Sequence, residues 1–139
     1  MKALGIDFGS QRVGVAISDP EGRFALPLDT LVRHSDHQII DLIARIAAQE
    51  CIDLIVLGEP LQLDGSAGPA ADRVRRFGDK LARRTGLRVR LVDEALTSVE
   101  ATRRLREAGV DPGKHPERVD AVAAQILLQE ALDNPRPAP

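Results

Sequence analysis

The stretch Lys2-Ala-Leu-Gly-Ile-Asp-Phe-Gly-Ser-Gln-Arg-Val-Gly-Val-Ala-Ile-Ser-Asp19 constrains the fold of this chain more than any other. Leu4, Gly5 and Ile6 run into Asp7, Gly9-Ser10 offers a turn, and Val13, Val15 and Ile17 alternate with Arg12, Gly14, Ala16 and Ser18. The pattern predicts a β-hairpin. So apolar a first strand is expected to be buried on both faces, and Asp7 then brings a charge to the edge of the core. That is costly without a cation or hydrogen-bond donors. Two readings of Asp7 stand at this point: a ligand for a metal ion, or an acceptor for the backbone of the Phe8-Gly9-Ser10 turn.

The rest of the chain supplies partners for that hairpin. Residues 23–32 place Phe24, Leu26, Leu28 and Thr30 at period two, with Pro27 tolerable only at an edge or bulge, which predicts a third, outer strand. Ser35 and Gln38 form a capping box ahead of Ile39, Ile40, Ile43, Ile46 and Ala47, predicting a helix over 36–49. The continuous apolar run 52–57 reads as a fourth strand, buried on both faces and stopping at Gly58. The turn-rich segment 58–69, with Gly58, Pro60 and Gly65, is long for a passive connection and is expected to be a binding loop. Ala70, Val74, Phe77 and Leu81 predict a second helix ended by Gly86, and Leu87, Val89 and Leu91 a fifth strand running into Asp93-Glu94. A third helix is expected to be capped by Thr97 or Ser98, to bury Val99, Thr102, Leu105 and Ala108, and to stop at Gly109. A fourth, over about 117–132, would bury Val119, Val122, Ala123, Ile126 and Leu127, leaving a frayed tail over 133–139.

A helix between the fourth and fifth strands requires a parallel, right-handed crossover, so the fold class is α/β with a five-stranded mixed sheet flanked by helices. In open α/β sheets the functional crevice lies beyond the carboxyl ends of the strands. There the sequence puts Asp7, Glu59 and Asp93-Glu94, with Asp120 in the first turn of the last helix as a further candidate.

With 139 residues the chain is expected to form one domain, 1–139, large enough to fold without disulfides. Its content of 43% apolar and 29% charged residues argues against a disordered chain. No apolar run is long enough for a membrane span and no secretory signal opens the chain, so a cytoplasmic protein is expected. The single cysteine, Cys51, precedes an apolar strand and is expected to be a buried thiol. A net charge of −2 hides an asymmetry: residues 73–118 hold thirteen Lys or Arg against seven Asp or Glu, leaving six against fourteen elsewhere. The basic half suits a polyanion, and with only Phe8, Phe24 and Phe77 as aromatic rings, a nucleic acid would be held by its backbone and not by base stacking.

Two families share a strand ending in Asp-x-Gly-Ser/Thr followed by a hairpin. Actin-like and sugar-kinase ATPases clasp nucleotide between two such domains, more than 139 residues supply. The other is the ribonuclease-H-like nuclease fold. Four motifs in order, Gly5 to Asp19, Gly58 to Ser66, Asp93 to Ser98 (Asp-Glu-Ala-Leu-Thr-Ser) and Asp120 to Ala124 (Asp-Ala-Val-Ala-Ala), resemble the YqgF/RuvX family over residues 3–132. The resemblance implies a metal-dependent nuclease that matures the 5′ end of precursor 16S ribosomal RNA or resolves Holliday junctions. By motif matching it implies Asp7, Glu94 and Asp120 as catalytic acids holding Mg²⁺ or Mn²⁺ in a two-metal site, with Asp7 the bridge. Gly9, Ser10, Arg12, Gly58, Pro60, Gly65 and Arg118 would contact substrate, structured RNA or a four-way DNA junction. Cutting a junction symmetrically requires two sites and hence a homodimer. Glu59 departs from the family pattern, standing where Leu is usual, and Arg118 stands near a usual Lys. The rival reading is a non-catalytic nucleic-acid-binding protein on the same fold, which has no reason to keep three acids against phosphate.

Overall fold

The computed structural model describes residues 1–61 and 64–135. In chain order it contains β1 (Ala3–Phe8), β2 (Arg12–Ser18), β3 (Ala25–Val32), α1 (Asp36–Gln49), β4 (Leu54–Glu59), α2 (Pro69–Thr85), β5 (Arg88–Asp93), α3 (Thr97–Glu107) and α4 (Pro116–Asp133). The five strands form one sheet in the order β3-β2-β1-β4-β5. The hairpin pairs β1 antiparallel to β2, from Leu4 opposite Ile17 to Phe8 opposite Val13, whereas β4 and β5 run parallel to β1. This is the mixed α/β sheet that the sequence predicts, with the α2 crossover fixing the parallel half.

The strand period of two divides the molecule into layers. Leu4, Ile6 and Phe8 join Ile39, Ile43, Leu57 and Phe77 in a large-residue core beneath α1 and α2. On the opposite face the core is built of small residues, Ala3, Ala16, Ala25 and Ala124, with Leu127 and Leu128 of α4. Small residues let α4 lie almost against the strand backbones: a Cβ at Gly14 would stand 2.0 Å from the Asp120 carbonyl oxygen, and one at Gly5 2.7 Å from Leu128 Cβ. The middle of the sheet therefore fixes where the first turns of α4 can be.

Several boundaries follow the sequence. α1 spans the expected residues, with the Gln38 N–H donating to Ser35 Oγ at 3.1 Å. Gly86 ends α2 in the left-handed conformation, and Gly109 follows α3 in the same conformation. Others differ. β4 does not stop at Gly58 but continues through Glu59, which pairs in register with Asp93. Leu96, in the left-handed region, precedes α3, and neither Thr97 nor Ser98 caps it. The Thr97 hydroxyl instead donates back to the Glu94 carbonyl at 2.9 Å. That bond, together with packing on α4 in place of the sheet, turns Thr97, Ala101 and Leu105 inward and leaves Val99 66% exposed. The buried stripe of α4 is likewise turned, to Ala123, Ala124, Leu127, Leu128 and Ala131, because this is the face whose small residues fit the Gly5 and Gly14 seat. Cys51 is exposed, not buried: it turns the chain with φ 53° so that Ile52, whose N–H reaches the Ala47 carbonyl at 2.9 Å, enters the core in its stead. α4 extends to Asp133, and of the expected frayed tail 136–139 lie outside the described residues. Among the described residues no helix is long and apolar enough to cross a membrane.

Candidate active site

Because β1, β4 and β5 are parallel, their carboxyl ends open on one edge of the sheet, where parallel α/β sheets place their sites. Asp7 is the penultimate residue of β1 and, alternating with Phe8, faces the α4 side. Glu94 directly follows β5. Its N–H donates to the Glu59 carbonyl at 3.1 Å and its carbonyl accepts from the Thr97 N–H and hydroxyl, so its backbone is held on both sides. Its side chain reaches Asp7 across Gly58: a Cβ there would stand 2.5 Å from Glu94 Oε2 and 2.9 Å from Leu127 Cδ2. Asp120 comes from the start of α4, brought in by the absence of a side chain at Gly14.

The electrostatics record how close these acids are. Burial raises the Asp7 carboxyl above its ordinary value, a hydrogen bond from Glu94 opposes that, and the Asp120 charge raises it again. Glu94 is pushed up to about 8, first by burial and then by the Asp7 charge and the hydrogen bond between them. Both carboxyls are thus held toward their protonated forms, foremost by burial. Glu94 Oε2 is buried without a hydrogen-bond partner, an arrangement that costs free energy unless something absent from the bare chain satisfies it. The turn-acceptor reading of Asp7 is not realised, since the hairpin loop is closed by the Gly9 N–H and the Arg12 carbonyl at 3.0 Å.

Arg12 and Asp120 form an ion pair, Nε to Oδ2 at 2.6 Å, and the Arg12 guanidinium is held charged by it. Arg12 is therefore the partner of a candidate acid and not a free phosphate ligand. Among the described residues no three acidic, histidine or cysteine side chains form a ready-made cage for a metal. What the fold preforms is the Asp7–Glu94 pair with its unsatisfied oxygen, a hard-oxygen donor set that fits Mg²⁺ or Mn²⁺, with Asp120 beside it and tied to Arg12.

The remaining predicted residues are distributed unevenly. Gly9 belongs to the hairpin loop, where a Cβ would collide with the Arg12 carbonyl at 2.4 Å, and Ser10 is exposed at its tip. Gly58 is buried beneath Glu94, so what it contributes is space. Pro60 and Gly65 lie in the connection to α2, Gly65 with φ 85° and open surroundings. Arg118 lines a groove between β3, α3 and α4 with Leu28, Leu105 and Val122, on the side of α4 turned away from Asp120. Glu59 does not join the acids. It points to the other face of the sheet, only 8% exposed, and is paired with Arg75 Nε of α2. Sequence reasoning missed two structural supports. Thr97 presents the signature of an ordinary helix cap, and Gly14 offered one legible signal, a glycine inside a strand pattern, which commonly marks a close backbone approach.

The chain is similar to known proteins along nearly its whole length. Residues 1–134 match the family model RuvX, described as Holliday junction resolvase. A relative from Chloroflexus aggregans is 46% identical over 130 residues, covering 94% of this chain and 92% of its own, and one from Myxococcus xanthus is 42% identical over 137 residues, covering 99% and 91%. Both are named "Putative pre-16S rRNA nuclease". Among solved structures, T. thermophilus RuvC in complex with a Holliday junction superposes with a TM-score of 0.58 at 16% identity, over 95% of this chain and 93% of that one. The fowlpox virus resolvase with Holliday junction DNA gives 0.59 at 11% identity, over 96% and 97%. At such identities the likeness is one of fold, the ribonuclease-H-like fold of these resolvases. The family match over nearly the whole chain goes further, and this chain belongs to the RuvX family.

Proposed function

We propose that this chain is a divalent-metal-dependent endonuclease that hydrolyses phosphodiester bonds in structured nucleic acid. The observation that carries the reading is the buried Asp7–Glu94 pair, with an unsatisfied Glu94 oxygen, at the carboxyl ends of the parallel strands of a mixed sheet. Such a pair is costly in a binding module and useful where a cation will sit between the carboxylates. The relatives named for pre-16S rRNA and the family named for Holliday junctions support a structured polynucleotide as substrate, the precursor of small-subunit ribosomal RNA or a four-way DNA junction.

Asp7 and Glu94 would hold the ion, with Asp120 completing its shell once Arg12 turns from it. A bound Mg²⁺ or Mn²⁺ supplies a water acidic enough to attack phosphorus and charge to stabilise the leaving oxygen. The chain's own groups do the rest. Loss of the Glu94 proton leaves two facing carboxylates whose repulsion favours cation binding, and Arg12, once released from Asp120, would be free to pair with a phosphate oxygen.

The test is cleavage by the wild-type protein and by Asp7→Asn, with Mg²⁺ or Mn²⁺, of precursor ribosomal RNA, a four-way junction and duplex DNA. Asp7→Asn keeps the shape of the side chain and removes its charge, so cleavage should vanish while the fold persists. Undiminished metal-dependent cleavage by the variant would remove Asp7 from the reaction. The preferred wild-type substrate decides between RNA and junction, and the mass of the complex in solution decides whether two copies act together.

A further inference from the structure

The side of β1 opposite the carboxylates carries a second arrangement. Phe8, the residue after Asp7, stacks on Phe77 of α2 with ring centroids 4.1 Å apart and an interplanar angle of 17°. Two guanidiniums lie over the Phe8 ring: Arg33 with Cζ 5.4 Å from its centroid, and Arg73 at 5.5 Å. Arg33 comes from the residue after β3 and is held in place. Its Nε and Nη2 donate to Asp36 Oδ1, its Nη1 donates to the Ser10 carbonyl at 3.2 Å, and its backbone N–H donates to the Gln11 carbonyl at 2.9 Å. Arg33 is thereby tied to the hairpin turn that follows Asp7. Arg73, near the amino end of α2, has no carboxylate partner among the described residues, and the amino end of α2 beside it carries no capping side chain.

Two guanidiniums at one ring, balanced by one carboxylate, leave an excess positive charge. Cation–π contact orients such a group without neutralising it. Phe8 is only 7% exposed and stacked on Phe77, which leaves no face for a base to stack on. A planar guanidinium with open donors suits a phosphate, and Arg73 lies over the ring of the residue that follows an acid proposed to act on a phosphodiester.

We propose that Arg33 and Arg73, over Phe8, form a binding site for a backbone phosphate of the nucleic acid strand, on the opposite side of the β1 end from the Asp7–Glu94 pair. This rests on the nuclease reading and deepens it. The strand crosses the carboxyl edge of β1, one phosphate at the carboxylates and another at the arginines. Arg73 supplies the open charge, and Arg33 fixes the position relative to the hairpin.

The experiment uses the Asp7→Asn protein in metal-free buffer, so that binding is measured without cutting, on a four-way junction, duplex DNA and structured RNA. Arg73→Gln should weaken binding about tenfold near 0.1 M salt. It should also make the slope of log affinity against log salt shallower by about 0.9 on duplex and about 0.7 on single strands. Arg73→Lys should restore the slope but only part of the affinity, because the point charge remains and the planar fork does not. Arg83→Gln, the same charge change at the other end of α2, should alter both less. Urea midpoints unchanged by Arg73→Gln would show that folding is not the cause. Wild-type affinity and slope in Arg73→Gln, an equal loss in Arg83→Gln, or no binding to any of the three nucleic acids would overturn the site. Failure of the wild-type protein to cleave with Mg²⁺ or Mn²⁺ would instead overturn the nuclease reading, the salt slopes still judging the phosphate site.

Discussion

Glu94, whose carboxyl is held high by burial and by Asp7, makes the stability of the fold depend on pH. Its pKa rises from an ordinary 4.5 to about 8 in the folded chain. Between those values the folded state binds more protons than the unfolded one, so unfolding releases protons and stability falls as pH rises through that window. Asp7, also raised, acts in the same direction. Carboxylates held low by their partners, such as Glu100 at about 2 between Arg103 and Arg104, act oppositely but below that window. In EDTA, the melting temperature should therefore decline from about pH 4.5 to 8 and then level off. Glu94→Gln, which cannot ionise, should decline less, and an unchanged profile would show that Glu94 is not the group responsible. Glu59 poses the opposite case, a buried carboxylate with a partner. Arg75→Ala would leave it unpaired, whereas Glu59→Leu removes the buried charge along with the need for a partner. Urea unfolding should show Arg75→Ala destabilised and Glu59→Leu close to wild type; the reverse order would mean that the pair itself stabilises the fold.

α4 is positioned by absence: β1 and β2 present glycine and alanine to it, and its first turn rests on Gly14. With the Asp120 carbonyl oxygen 2.0 Å from where a Cβ would stand, Gly14→Ala must displace the helix or the strand. A destabilisation of about 3 kcal/mol, the upper part of the overpacking range, is expected by urea unfolding, with cleavage lost in proportion to the displacement of Asp120. A variant as stable and active as wild type would refute that close seat. The same packing explains what was legible in the sequence. Elements specified locally could be read directly: the hairpin by its alternation, α1 by Ser35 and Gln38, the end of α2 by Gly86. Elements whose facing is set by a distant partner could not. α3 packs on α4 and is tied by Thr97 to Glu94, so a periodicity that fitted Val99 inward placed Leu105 correctly but missed Thr97 and Ala101. In the site, Asp7 and Glu94 could be read because each stands at a strand end that the motifs mark. Two things could not be read: that Arg12 is engaged by Asp120, and that one residue of strand alternation sends Glu59 to the opposite face from Gly58.

Over the molecule as a whole, the Asp7–Glu94 pair lies on the α4 side of the sheet and the Arg33–Arg73 pair on the side of α1 and α2. The basic excess of residues 73–118 overstates what is available to a polyanion. Arg103 and Arg104 are engaged by Glu100, Arg84 by Asp41 and Arg75 by Glu59, while Arg90 donates to the Ala131 and Asn134 carbonyls. The acids, by contrast, are left as a destabilising group, and a cation held by them as proposed would tie global stability to its binding. An ion that binds only the folded state stabilises it by about 2.7 kcal/mol at a hundred times its dissociation constant, worth roughly 5–10 °C for a chain of 139 residues. Thermal unfolding of the wild-type protein should accordingly rise by that amount with saturating Mn²⁺ or Mg²⁺ and return with EDTA. Asp7→Asn removes one of the facing charges, so its metal-free melting temperature should lie above that of the wild type and its metal-induced rise should disappear. A variant that still gained stability with Mn²⁺ as the wild type does would place the ion elsewhere, and one that melted lower without metal would mean that the Asp7–Glu94 proton already relieves their repulsion.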